Sequence, residues 1–223
     1  MFTQLMKRKT TAARFRLPYT AEQVYYMLCA SYKAEVEYRH KNYLHTEITQ
    51  KNLGSIAKWL TSKDSTFGLY LCGGAGTGKT TTIKALHSLV AYLMTEEDYY
   101  DKNRRNKGFA IIGARELLRL AKAYNNPTKE NEKDAVRFKK LLDIELLAID
   151  DIGTEPRESM SYGDYVMAVT DMISHRYDEQ LCTIVSSNLP ANKIAQYYDG
   201  RIADRLREMM LIINFSDERS FRQ

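Results

Sequence analysis

The 223-residue chain has three cysteines, four histidines and no long apolar run, and each scarcity removes a class of protein. Cys29, Cys72 and Cys182 are isolated, odd in number and form no CxxC pair. They read as small buried hydrophobes in a reducing compartment, which excludes a disulfide framework and a cysteine zinc site. His40, His45, His87 and His175 show no metal-ligand spacing. No stretch approaches the ~18 to 20 apolar residues needed to cross a bilayer. The N-terminus carries charge without the apolar segment of a secretory signal. A cytoplasmic protein without membrane contact is expected. Internal repeats, low-complexity tracts and long flexible linkers are absent as well, which leaves room for one sizeable core and a small appendage.

Acidic residues are missing from the first 18 positions, which hold Lys7, Arg8, Lys9, Arg14 and Arg16. Without those five, the Lys+Arg total of 33 falls to equal the Asp+Glu total of 28. A basic arm on a neutral body suits an acidic partner or nucleic acid, or simply a solvated terminus. Beyond Pro18, Thr20 and Gln23 form a capping-box signature, and helical periodicity runs to about Arg39 through Val24, Met27, Leu28 and Tyr32. A second helix is expected over about Glu47 to Leu60. Residues 1–46 are thus a separate basic and helical extension, and 47–223 the main domain. From residue 67 strands and helices alternate, with strands at 67–72, 108–113, 144–150, 182–187 and 211–215. Helices are expected over 114–124, from about 134 to 142, from Tyr165 to Arg176, and in two short pieces before the last strand. Repeated strand–helix–strand units imply an α/β fold with a five-stranded parallel sheet flanked by helices.

Four of the 11 glycines fall within "GGAGTGKT", residues 73–80, between the first apolar strand and an amphipathic helix. This is the phosphate-binding pattern G-x-x-x-x-G-K-[ST] in the context it requires. Gly73, Gly74, Ala75, Gly76, Thr77 and Gly78 turn backbone N–H groups inward around phosphate oxygens, and the following helix adds its positive end. Lys79 reaches the β- and γ-phosphates, Thr80 offers its hydroxyl to Mg²⁺, and Thr81 is expected among the nucleotide-binding residues. "LLAIDDIG" ends an apolar strand in two carboxylates. Asp150 is placed to hold Mg²⁺ and Asp151 to orient and polarise the attacking water. Ligands of open parallel sheets bind beyond the carboxyl ends of the strands, where Ser186–Asn188 also falls, so Asn188 is within reach of a γ-phosphate or the lytic water.

Together the glycine loop, "LLAIDDIGTEP", "ISHRYDEQLCTIVSSNLP" and "GRIADRLREM" resemble the AAA+ ATPases of the DnaC/DnaI helicase-loader and IstB transposition-helper group, over about residues 47–222. The resemblance implies a P-loop NTPase of the AAA+ type that uses ATP and Mg²⁺ and assembles as a homo-oligomeric ring or spiral when ATP-bound. It implies single-stranded DNA contacts from the helices between strands two and three, where Arg119, Lys122, Arg137, Lys139 and Lys140 lie, with Tyr162 as a further DNA residue. It puts an arginine finger at Arg205, which would complete the site of a neighbouring subunit. The partner implied is a replicative helicase or a transposase, and the extension occupies the place of the helicase-binding module. Two departures from the wider AAA+ pattern stand out. Asp151 replaces the usual Walker B glutamate, which implies slow hydrolysis, and a C-terminal lid domain is not expected, since the chain stops soon after strand five.

The expected function is an ATP-dependent, single-stranded-DNA-binding ATPase acting as a helicase loader or replication accessory protein. An IstB-like transposition helper shares the same core and is the nearest alternative. A small-molecule P-loop kinase would need an acceptor pocket and an Arg-rich lid, neither of which is legible here. A clamp that barely hydrolyses ATP is compatible with Asp151. The guanine-binding N-K-x-D motif is absent, which argues against a GTPase.

Overall fold

The computed structural model describes residues 14–93, 108–156, 159–161 and 164–215. Lys7, Arg8, Lys9 and Tyr162 lie outside the described residues, as does the charged run 96–107, which the sequence alone reads as a surface connection. The first helix, α1 (Ala21–Glu37), starts at the expected capping box. The Thr20 hydroxyl accepts from the Gln23 N–H at 3.2 Å, and the Gln23 side chain accepts from the Thr20 N–H at 3.0 Å. Next come α2 (Glu47–Thr61), β1 (Gly68–Cys72), α3 (Lys79–Leu93) and β2 (Ala110–Gly113). The order continues α4 (Ala114–Asn125), α5 (Glu132–Asp143), β3 (Leu146–Ile152), β4 (Ser159–Ser161) and β5 (Asp164–Val166). The chain then forms α6 (Ala168–Asp178), β6 (Cys182–Ser187), a single 3₁₀ turn, α7 (Ile194–Tyr197), α8 (Gly200–Met209) and β7 (Met210–Asn214).

Five strands pair in parallel in the order β2-β3-β6-β1-β7, so β1 lies between β6 and β7. Alternation along the strands divides the core into two faces. Tyr70, Leu147, Ile149 and Val185 face the helices α4, α6 and α8. Leu69, Leu71, Ala148 and Ile184 face α2 and α3, with α1 packed across that pair of helices. Each fully buried Leu or Ile here contributes roughly 2 kcal/mol. Val24, Leu28 and Tyr32 of α1 are buried in that second face, so the helical extension shares the core of the main domain.

Three sequence expectations need correction. The helix expected from Tyr165 begins at Ala168, because residues 164–166 pair antiparallel with 159–161 in a two-stranded hairpin. Strands of three residues are too short to show an alternation. The basic arm is partly committed to the fold. The Arg16 guanidinium stacks over the Trp59 ring, 5.6 Å from its centroid, and donates to Ser62 O at 2.6 Å and to Thr66 O at 3.0 Å. Burial pushes its pKa down, so Arg16 pins the loop before β1 and is not a free charge. Cys29 is only half-buried, unlike Cys72 and Cys182.

Arg176 accounts for part of the "ISHRYD" run in purely structural terms. It is 0% exposed, and burial lowers its pKa to about 10, still well above neutrality. Nη1 donates to the carbonyls of Leu141, Leu142 and Ile144, at 3.3, 3.1 and 2.9 Å. Nη2 donates to Glu145 O and Cys182 O, and Nε to Thr183 Oγ1. One side chain therefore closes the carboxyl end of α5 and ties it to the start of β6. Arg176→Ala should lower unfolding stability by about 4 kcal/mol in urea denaturation, since each orphaned buried carbonyl costs ~1–3 kcal/mol. Arg176→Lys should recover less than half of that, because an ammonium cannot span both edges of the guanidinium. A loss below about 1 kcal/mol for the alanine variant would contradict this role.

Candidate nucleotide site

The glycine loop leaves β1 at the carboxyl edge of the sheet and bends at once. Gly73 has φ 145°, and a Cβ there would lie 2.7 Å from the Phe215 carbonyl carbon, so no other residue fits. Phe215 is held in place by its own N–H, which donates to Cys72 O at 2.7 Å. Gly78 (φ 99°) makes the last turn, and its carbonyl accepts from the Thr82 N–H at 2.8 Å, starting α3. Thr77 closes the loop from inside by donating to Gly74 O at 2.9 Å.

Lys79 is only 5% exposed. Its ammonium donates to Gly73 O at 2.8 Å, Gly74 O at 2.7 Å and Asn188 Oδ1 at 2.9 Å. The loop lysine therefore touches the residue that follows β6 directly, a contact the sequence did not specify. Thr80 turns the other way, its hydroxyl 3.2 and 3.1 Å from the two carboxylate oxygens of Asp150. Of the residues expected to act together, Lys79 and Thr80 open the helix that follows β1, Asp150 lies on β3 and Asn188 directly follows β6, the strand between β1 and β3.

The two aspartates owe their positions to an irregularity. The β3–β6 register shifts between Ile149 and Ile152, and Asp151 adopts a left-handed φ of 58°. Asp tolerates that conformation better than most residues, and a bulge re-aims the side chains on either side of it. Ser186 holds the bulge: its hydroxyl accepts from the Asp151 N–H at 2.9 Å and donates to Asp150 Oδ1. Thr154 donates to Asp151 O at 2.7 Å, and Ser187 to Ile152 O at 2.7 Å. Asp150 is consequently part-buried against Thr80, whereas Asp151 is exposed. β3 runs two residues beyond the expected end for this reason.

Behind the bulge, Glu155 is 4% exposed and accepts from the Gly153 N–H at 2.8 Å and from the Tyr198 hydroxyl. Burial first, and the Glu155 charge second, raise the Tyr198 pKa, which keeps its phenol protonated as a donor. The Tyr197 hydroxyl donates to Glu155 O at 2.6 Å. These bonds fix the loop after β3 to α7.

Ser186 and Arg39 were not singled out by sequence reasoning. Strand alternation plus the carboxyl-end rule places Ser186 at this edge, but only the bulge reveals what it holds. Arg39, 42 positions before Thr81, donates from Nη1 to its hydroxyl at 3.0 Å, and no motif announces it.

Arg205 does not join this group. Its side chain is 11% exposed, with Cζ 4.9 Å from the Tyr177 ring centroid and Nη2 3.2 Å from Asp178 Oδ1. Nη1 is buried without a partner among the described residues. Asp178 ends α6 just before β6 begins, so Arg205 sits toward the amino edge of the sheet. The length of β1 separates that edge from the glycine loop, roughly 13 Å. Of the expected DNA residues, Arg119 pairs with Asp134 and Arg137 with Glu116, binding α4 to α5. Lys139 and Lys140 are exposed, and neither they nor Lys122 form an ion pair among the described residues.

No protein-family model and no curated protein matches the chain. Solved structures do match. DnaI shares 22% identity over 78% of this chain and 87% of its own, with a TM-score of 0.54. The DnaC helicase loader shares 16% identity over 78% of this chain and 93% of its own, also at 0.54. DnaA from Aquifex aeolicus, solved with AMPPCP bound, shares 13% identity over 77% of this chain and 48% of its own, at 0.51. At such identities the likeness is one of fold, and this chain shares the fold of DnaI and of the DnaC helicase loader.

Proposed function

We propose that this chain is an ATP-dependent, single-stranded-DNA-binding ATPase that serves as a helicase loader or replication accessory protein. The observation that carries this reading is the meeting of Lys79, Thr80, Asp150 and Asn188 at the carboxyl edge of the sheet. A triphosphate in the glycine loop would draw the Lys79 ammonium from loop carbonyls to its β- and γ-phosphate oxygens. Asn188, already bonded to that ammonium, would face the γ-phosphate or the lytic water. Thr80 and Asp150 would hold Mg²⁺. A hydroxyl and a carboxylate are the hard oxygen donors this ion prefers, and it takes its remaining ligands from phosphate and water. Mg²⁺ in that place would offset charge on the phosphates. Asp151, exposed beside it, would orient and polarise the attacking water.

The replication role is supported by the fold likeness to DnaI and the DnaC helicase loader. The partner in this reading is a replicative helicase, with single-stranded DNA running along α4 and α5. Arg119 and Arg137 already have acidic partners, so Lys139 and Lys140 carry more of the contact. Binding of single-stranded DNA should need ATP and weaken with salt. The Lys139→Ala/Lys140→Ala double variant should flatten the slope of log affinity against log salt by about 1.4, with ATP affinity unchanged. An unchanged slope would take the DNA path away from this face.

Arg205 sits too far from its own glycine loop to touch a γ-phosphate there, so in this reading it completes a neighbour's site within a homo-oligomer. Its ties to Tyr177 and Asp178 would have to yield on assembly, leaving Nη1 free to meet a charge. Arg205→Ala and Lys79→Ala should each be inactive as ATPases. Mixing the two pairs an intact loop with an intact Arg205 at some interfaces, and turnover should rise above the sum of the separate proteins. No rise in a mixture whose co-assembly is confirmed by native mass would place Arg205 outside the reaction.

A further inference from the structure

Nucleotide sites of this kind are built from the loop and the strand ends, yet here one cation reaches the first turn of α3 from the N-terminal extension. α1 and α3 lie antiparallel. The Ser88 hydroxyl donates to Glu35 Oε1 at 3.0 Å, and four residues further, just past the end of α1, the Arg39 Nη1 donates to Thr81 Oγ1 at 3.0 Å. The helix is stopped so that Arg39 points there. The His40 N–H donates to Glu37 O at 2.9 Å and the Lys41 N–H to Val36 O at 3.4 Å, with His40 left-handed at φ 55°. This is the closing geometry that usually recruits glycine, held here by a histidine. The chain then turns over the carboxyl edge of the sheet before α2 descends.

Orientation follows from the helix. Lys79 and Thr80 face Asn188, just past β6, and Asp150, on β3, and mark where the terminal phosphate would lie. Thr81 is turned about 100° further round α3 and faces α1 instead. The glycine loop and the first turn of α3 would cradle the α- and β-phosphates. Arg39 approaches this turn from the side away from the two aspartates. The Arg39 side chain belongs to an exposed residue, and the bond to Thr81 uses one of its five N–H donors.

We infer that Arg39 is a nucleotide-binding residue whose guanidinium contacts the α-phosphate of the bound nucleotide, so that the N-terminal extension supplies part of the phosphate site. The inference rests on the nucleotide-binding reading given above. It makes a specific demand: ADP and ATP share the α-phosphate, so both must feel the loss of Arg39 equally.

The test is equilibrium binding of fluorescent ADP and ATP analogues to the full chain and to Arg39→Gln and Arg39→Lys. Glutamine keeps a donor for the Thr81 hydroxyl and removes the charge. Arg39→Gln should weaken ADP and ATP by the same factor, about tenfold, as expected for a charge-assisted bond at a part-exposed site. Arg39→Lys should regain most of the affinity for both. Wild-type affinity in Arg39→Gln would reduce the contact to a structural tie and overturn the inference. So would a loss confined to ATP, which would move Arg39 to the γ-phosphate, or a loss that lysine does not restore. If the unaltered chain binds neither nucleotide, the underlying nucleotide reading fails, and that outcome is distinct from the other three.

Discussion

A buried ammonium governs the geometry of the carboxyl edge. Lys79 sits 5% exposed at the start of α3, and taking an unpaired cation out of water costs several kcal/mol even after the protein relaxes. The glycine loop must therefore curl until the carbonyls of Gly73 and Gly74 point at it, and β6 must deliver Asn188 alongside. Both conditions require β1 to lie next to β6, which is the pairing observed. The loop needs Gly73 because Phe215, just past β7 on the other side of β1, closes over it. A phosphate is a better acceptor for this ammonium than two peptide carbonyls, so the arrangement that satisfies Lys79 also leaves it ready to exchange partners.

The second constraint is the end of β3, where a bulge and a left-handed aspartate separate two adjacent carboxylates into different environments. Asp150 is turned toward Thr80 and Ser186, and Asp151 toward solvent. A left-handed non-glycine residue costs of order 1 kcal/mol and persists only when its surroundings hold it. Ser186 and Thr154 hold it on both sides, and the Glu155–Tyr198 bond fixes the loop beyond. Stored strain at this position fits a residue selected for where it points.

Much of this was legible in the sequence for a definite reason. The glycine loop, the paired aspartates and Asn188 each belong to short local patterns, and the parallel-sheet rule brings strand ends together without knowledge of register. A parallel sheet with helices on both faces, and the placing of the glycine loop, Asp150 and Asn188 at strand ends, follow from that, whereas the strand order β2-β3-β6-β1-β7 does not. Contacts between distant, unpatterned positions were not legible. Arg39 meets Thr81 only because α1 lies antiparallel on α3, and Arg16 leaves the expected basic arm because Trp59 offers it a flat face. The β4–β5 hairpin has strands of three residues, too short for any period. The burial of Arg205 against Tyr177 depends on packing between α6 and α8 that periodicity does not specify.

The division of labour between the two aspartates is open to one direct measurement, ATP binding and ATP hydrolysis compared in the unaltered protein and in Asp151→Asn. Amide for carboxylate keeps the shape of the exposed side chain and removes its ability to polarise water. Binding should persist within about threefold, while hydrolysis should fall by about 100-fold, the lower range for loss of a positioned base. Asp151→Asn hydrolysing ATP at the unaltered rate would contradict the role of the bulge and of the carboxylate it presents.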